Sequence, residues 1–215
     1  MKKLIVILGI LSLCISCKQK AKTKIAEPEL SVAQKIANAH GFENWEKISE
    51  IQFKFGQNRN WVWNPKSDNI TLKTDKDTIS YNRKSLDSIS TKADRAFIND
   101  KFWLLIPFQL VWDEGITISE PVKAQAPISK SEMNKIILTY SKEGGYTPGD
   151  AYDIFYTNDF IIKEWAFRRR NKAEAELINT FENYQDFNGL KLALDHKKAE
   201  GDWNLKLSNV KVILE

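Results

Sequence analysis

From Ile48 onward, large apolar side chains recur at every second position. Ile51, Phe53 and Phe55 alternate with Gln52 and Lys54, Trp61 and Trp63 straddle Val62, and Ile70 with Leu72 and Ile79 with Tyr81 continue the pattern. A period of two puts such residues on one face of a strand, which restricts the chain to sheets with one face buried. Gly56 to Asn60 and Thr74 to Lys76 supply turn residues, so 48–81 predicts a four-strand antiparallel meander. The alternation returns at Lys135–Ser141, Ala151–Thr157, Phe160–Arg169, Asn179–Phe187, Leu190–Lys198 and Asn204–Leu214, with the turn-rich EGGYTPGD at 143–150 and Asn158-Asp159 as connections. In the last segment Leu205 and Leu207 share one parity and Val210, Val212 and Leu214 the other, which places a bulge or turn at Ser208–Asn209.

Two helices interrupt this pattern. Ser31 followed by Gln34, with Gly41 beyond, reads as a capped helix over Ser31–His40, and Thr91 with Asp94 predicts a shorter one over Thr91–Asp100. The uncharged run Phe102–Trp112 (FWLLIPFQLVW) is too short to span a bilayer; Pro107 at its middle favours two short buried strands or one bent strand. Ile116–Ser119 predicts a short strand and Glu120–Ser131 a loop. The expected fold is mainly β (α+β), a curved antiparallel sheet of about ten strands with an N-terminal helix and a mid-chain helix.

The N-terminus carries a different signal. Lys2 and Lys3, an apolar run from Leu4 to Ile15, and Ser16 before Cys17 form a secretory signal that resembles a bacterial lipoprotein signal, with Cys14 where that box usually holds Leu. On this reading residues 1–16 are removed, Cys17 is acylated and attaches the protein to a membrane, 17–30 is a flexible tether, and 31–215 forms one domain. Removing Lys2 and Lys3 from 32 basic residues leaves 30 against 28 acidic, a balance that gives no basic surface for nucleic acid. With Cys14 removed and Cys17 lipidated, no thiol remains, so the fold stands without disulfides in an oxidising envelope. The tether is not acidic and Lys18 follows the cysteine; by resemblance to lipoprotein sorting signals this implies the periplasmic side of an outer membrane.

Catalytic signatures are sparse. His40 closes the first helix and His196 shares a strand face with Leu192 and Leu194, positions of a cap and a barrel residue. HExxH, GxSxG, P-loop and CxxC motifs are absent, and Gly144, Gly145 and Gly149 read as a hairpin loop. The carboxylate pairs Asp113-Glu114 and Asp75-Asp77 have no partner set that defines a hydrolase or a calcium site. The reading is therefore a non-enzyme with no metal and no cofactor. Aromatic residues are the richer feature: Phe53, Phe55, Trp61, Trp63, Trp103, Phe108, Trp112, Trp165 and Phe167, with Phe102 beside them, either close a core or line an apolar ligand cavity inside a curved sheet. Arg168, Arg169 and Arg170 end one of these strands, placed either to hold a lipid headgroup at the rim or to pair with Glu174 and Glu176.

A capped helix, an antiparallel meander, a helical insertion and paired closing strands, with FENYQDFNGLKLALDH at 181–196 and GFENWEKISEIQFKF at 41–55, resemble the LolA/LolB lipoprotein-localisation superfamily. That resemblance implies a half-open barrel whose concave apolar side, covered by helices, holds acyl chains of lipids or lipoproteins. The expected function is thus a monomeric, lipid-anchored periplasmic protein binding a lipid, acyl chain or lipoprotein. A structural or protein-interaction lipoprotein with a packed core, and a glycan-binding module or hydrolase acting through Asp113 or Glu114, remain the alternatives.

Overall fold

The structure is a computed structural model that describes residues 29–143 and 145–215, so the expected signal, Cys17 and the expected tether as far as Pro28 lie outside the described residues, as does Gly144. Helix α1 (Val32–Ala39) is capped as expected: Ser31 Oγ accepts from the Gln34 N–H at 3.2 Å. Gly41 ends it with φ of +92°, where a side chain would meet the Gly189 carbonyl oxygen at 1.8 Å. The Lys191 N–H donates to the His40 carbonyl at 3.0 Å and ties the helix end to a late strand.

After a short 3-10 turn (Phe42–Lys47), β1 (Ile48–Phe55), β2 (Arg59–Asn64), β3 (Asn69–Lys73) and β4 (Thr78–Asn82) form the expected meander. On the other side of β1 lie three late strands, β13 (Asn204–Leu214), β12 (Leu190–Lys197) and β11 (Glu182–Phe187), completing a seven-stranded antiparallel sheet. The parity change in β13 is a bulge: the β1 register slips between Gln52↔Lys211 and Lys54↔Ser208, and Asn209 takes a left-handed φ of 53°.

A six-stranded antiparallel sheet holds β5 (Ile116–Ile118), β6 (Val122–Gln125), β7 (Glu132–Tyr140), β8 (Ala151–Tyr156), β9 (Ile162–Arg168) and β10 (Leu177–Thr180). β6, in a stretch expected to be a loop, pairs with the start of β7. The predicted strand 179–187 is split between the two sheets. Leu177–Thr180 pairs with β9, Glu182–Phe187 pairs with β12, and Phe181 between them is buried, its N–H donating to the Lys163 carbonyl at 2.7 Å. One bent strand thus carries the chain from one sheet to the next, and the mainly β architecture with two α-helices stands as read from the sequence.

The main correction concerns Phe102–Trp112, which is helix and not strand. It is the second half of α2 (Ser88–Trp112), whose cap is Asp87 rather than Thr91: Asp87 Oδ1 accepts from the Ser90 N–H, and Ser90 Oγ accepts from the Asp87 N–H, each at 2.7 Å. Pro107 has no N–H to donate into the helix, and the backbone departs from helical geometry two residues earlier, at Leu105 (φ −119°, ψ 20°). A helical stretch apolar on every side must be buried on every side, and Phe102–Leu110 is, whereas the first half of α2 keeps Lys92, Arg95 and Asn99 exposed. Ala93, Phe97, Leu104, Leu105 and Phe108 pack with the seven-stranded sheet, while Phe102, Trp103, Ile106 and Leu110 pack with the six-stranded one.

Candidate functional site

The position of α2 decides what the predicted aromatic lining does. On the side of the seven-stranded sheet, Phe53, Trp61, Trp63 and Phe108 are buried, and the Trp61 and Trp63 rings meet Phe97 edge-on at 5.3 and 5.5 Å. Phe55 is half-buried, with the Arg59 guanidinium 4.8 Å over its ring. Trp61 Nε1 donates to Asp100 Oδ2 at 2.8 Å, and Arg59 grips the same fully buried carboxylate at 2.5 and 2.8 Å. Trp112 is half-buried against Trp45, 4.6 Å between centroids. Here α2 packs directly over the aromatic face of the sheet.

The other side of α2 leaves room. A cleft of about 290 Å³ lies between α2, the loop after β7, and strands β8 to β10. Its wall follows from strand register: Tyr152, Phe167 and Leu177 are direct cross-strand neighbours, and Trp165 lies on the same face of β9 as Phe167. Trp103 comes from α2 and meets the Trp165 ring edge-on at 4.8 Å, while Tyr152 lies 5.1 Å from both Trp165 and Phe167. Trp165 Nε1 donates to Asn179 Oδ1, which leaves its indole with no unmet donor. Tyr146 stacks on Phe102 at 3.9 Å and donates its hydroxyl to Asn99 Oδ1 at 3.1 Å. Burial pushes both the Tyr146 and Tyr152 hydroxyls above their ordinary ionisation range, so both remain neutral donors.

The polar residues of the cleft are Asn99, Thr147, Asp150 and Arg169. Of the three predicted rim arginines, Arg168 bonds Asp153 at 2.9 Å, Arg169 binds Glu176 through two bonds of 2.6 and 2.7 Å, and Arg170 is exposed with a left-handed φ of 55°. Only Arg169 reaches the cleft. The structure therefore brings together Trp103, Trp165, Phe167 and Arg169 from the predicted set. It adds Asn99, Tyr146, Thr147, Asp150, Tyr152 and Leu177, which sequence reasoning missed. Tyr152 was visible as an aromatic in phase with Ile154 and Tyr156; Tyr146 was hidden in the turn composition of EGGYTPGD.

Neither histidine lies in a catalytic arrangement. His40 Nδ1 meets the Ile36 carbonyl at 2.8 Å and His196 Nδ1 the Thr180 carbonyl at 3.2 Å; both rings are buried and neither Nε2 has a hydrogen-bond partner. Burial pushes both down to about 4, so each is neutral near pH 7. Asp113 is half-buried, receives the Tyr140 hydroxyl at 2.5 Å and is raised by burial, while Glu114 is exposed. Asp75 and Asp77 are exposed on either side of Lys76 in the β3–β4 turn, whose backbone is held by Thr74 Oγ1. Among the described residues no three His, Cys, Asp or Glu side chains gather to hold a metal ion. No protein-family model, curated protein or solved structure matches the chain.

Proposed function

We propose that the chain is a lipid-anchored envelope protein, attached through Cys17, that binds the apolar end of a lipid or lipoprotein acyl chain in the cleft walled by Trp103, Tyr152, Trp165 and Phe167. One observation carries this reading: of the aromatics expected to line a cavity, Trp103, Trp165 and Phe167 come together on one cleft, although Trp103 and Trp165 are themselves largely buried, whereas Phe53, Trp61, Trp63 and Phe108 are enclosed between the seven-stranded sheet and α2. The cleft lies at the lower edge of the roughly 300–1,000 Å³ typical of small-molecule sites, so it suits a chain end rather than a whole long chain. Binding would be driven by desolvation, about 0.8 kcal/mol per buried methylene. Arg169, already neutralised by Glu176, would exchange that partner for an anionic headgroup. The resemblance of the sequence to the LolA/LolB superfamily points to the same ligand class.

The test uses the chain from Lys18 to Glu215, purified gently and measured by native mass spectrometry, then by displacement of a lipophilic fluorescent probe. Co-purified lipid mass and competitive release are expected, with Phe167→Asp abolishing both while circular dichroism stays unchanged. A clean apo mass with no probe uptake would move the assignment to the second reading. That reading is a partner-binding lipoprotein with a packed core, favoured by the packing of α2 over the seven-stranded sheet.

A further inference from the structure

On the face of α2 turned away from the cleft, one cation is held without a counter-ion. Lys101 is only partly exposed, and its Nζ sits 5.4 Å from the centre of the Trp63 ring and 5.5 Å from that of Trp112. Among the described residues Nζ has neither a hydrogen-bond acceptor nor a carboxylate within ion-pair distance. The charges that act on it most are Arg83, Asp113, Asp68 and Asp94. Two of those acids are engaged elsewhere, Asp94 by Arg83 at 2.9 Å and Asp113 by Tyr140 at 2.5 Å. The indole that Lys101 Nζ lies over has an orphan donor: the Trp63 Nε1–H is buried and has no acceptor. Buried donors are nearly always satisfied, so the bare indole N–H calls for an acceptor, and the ammonium over the same ring has no protein acceptor either.

We propose that Lys101 and Trp63 Nε1 form a binding site for an oxyanion, a carboxylate or phosphate, bordered by the indoles of Trp45 and Trp112. Both groups are donors only, so a ligand that only accepts satisfies both at once. The indole walls suit an anion carried on an apolar or flat body, and Trp45 and Trp112 both reach solvent, which gives the ligand a path. Desolvation pushes the Lys101 amine down to about 8, so without an anion its charge is held at a cost that a bound oxyanion relieves. The site is separate from the aromatic cleft and stands or falls independently of it.

The experiment titrates the full chain in a non-ionic detergent with benzoate, phenyl phosphate and inorganic phosphate, using sodium chloride as the ionic-strength control. Tryptophan fluorescence and the nitrogen-15 indole N–H resonance of Trp63, assigned by its loss in Trp63→Phe, report occupancy. A saturable shift of that resonance is expected with at least one oxyanion and not with chloride. Lys101→Met, which keeps the apolar stem, should weaken it by about tenfold or more, as expected for loss of a charge-assisted hydrogen bond, with a thermal midpoint equal to or above the parent's. Trp63→Phe should weaken the fluorescence-detected affinity by a smaller factor. Response to inorganic phosphate alone identifies a free anion as ligand, and response confined to benzoate and phenyl phosphate identifies a headgroup on an apolar body. The proposal is overturned if no probe exceeds the chloride response, or if Lys101→Met binds as the parent does. Phe167→Asp should leave this titration unchanged, which separates its outcome from that of the cleft.

Discussion

Gly41 shows how much a single residue can decide. Its φ of +92° is disfavoured for any side chain, and the Gly189 carbonyl occupies the space a Cβ would need. Gly41→Ala should cost roughly 1–2 kcal/mol for the left-handed backbone alone, and more for the clash, since the obstacle is backbone and cannot rotate away. A urea midpoint unchanged from the parent would disprove this. Asp100 is a second such residue, because Arg59, Trp61 and Asn99 all donate to one carboxylate with no exposure. Asp100→Ala leaves the Trp61 N–H bare and takes from the Arg59 guanidinium both of its carboxylate bonds. A loss of about 3 kcal/mol is expected, at the low end for a broken buried pair because the Arg59 side chain is 38% exposed. Chemical denaturation of Asp100→Ala and Arg59→Ala measures it, and the second should cost less only if the carboxylate then finds water. Neither dependency was legible beforehand: Gly41 read correctly as a helix stop, but its contact with Gly189 and the grip on Asp100 join residues far apart in sequence.

At the scale of elements, α2 governs the fold because it is the shared core of two sheets. Phe97 is fully buried against Trp61 and Trp63, and Phe102 is fully buried among Tyr140, Tyr146, Tyr152 and Trp165. Phe97→Ala and Phe102→Ala should each cost about 3–5 kcal/mol, although one faces each sheet. Both should lower a single unfolding transition, seen alike by near-ultraviolet and far-ultraviolet circular dichroism. Two separate transitions would mean that the sheets do not share α2 as a common core. The strands of the meander were legible because each has one dry and one wet face, which imprints a period of two. Phe102–Trp112 was not, because a segment dry on all sides carries no period, and Pro107 weighed toward strand although a kink at Leu105 accommodates it.

For the molecule as a whole, pH is the informative variable. His40 and His196 titrate near 4 in the folded state against about 6.5 unfolded. The unfolded chain therefore binds protons at a pH where the folded one does not. The stability they contribute is complete above about pH 6.5 and is lost as the pH falls toward 4, by roughly 3 kcal/mol per histidine at most. Urea midpoints measured between pH 7 and pH 4.5 should fall steadily; a flat profile would show that the rings meet water or a carboxylate. The same global packing decides the functional question. Local pattern alone determined the class of the fold, the meander, the capped first helix, the parity change at Ser208–Asn209 and the face on which each strand aromatic lies, because each depends on near neighbours in the chain. Whether those aromatics close a core or border a space depended on what packs against the sheet faces, and only the tertiary structure decided it. A helix inserted between two sheets buries Phe53, Trp61, Trp63 and Phe108 on one side and leaves a cleft beside Trp103, Trp165 and Phe167 on the other, because a curved sheet specifies a volume and not its occupant.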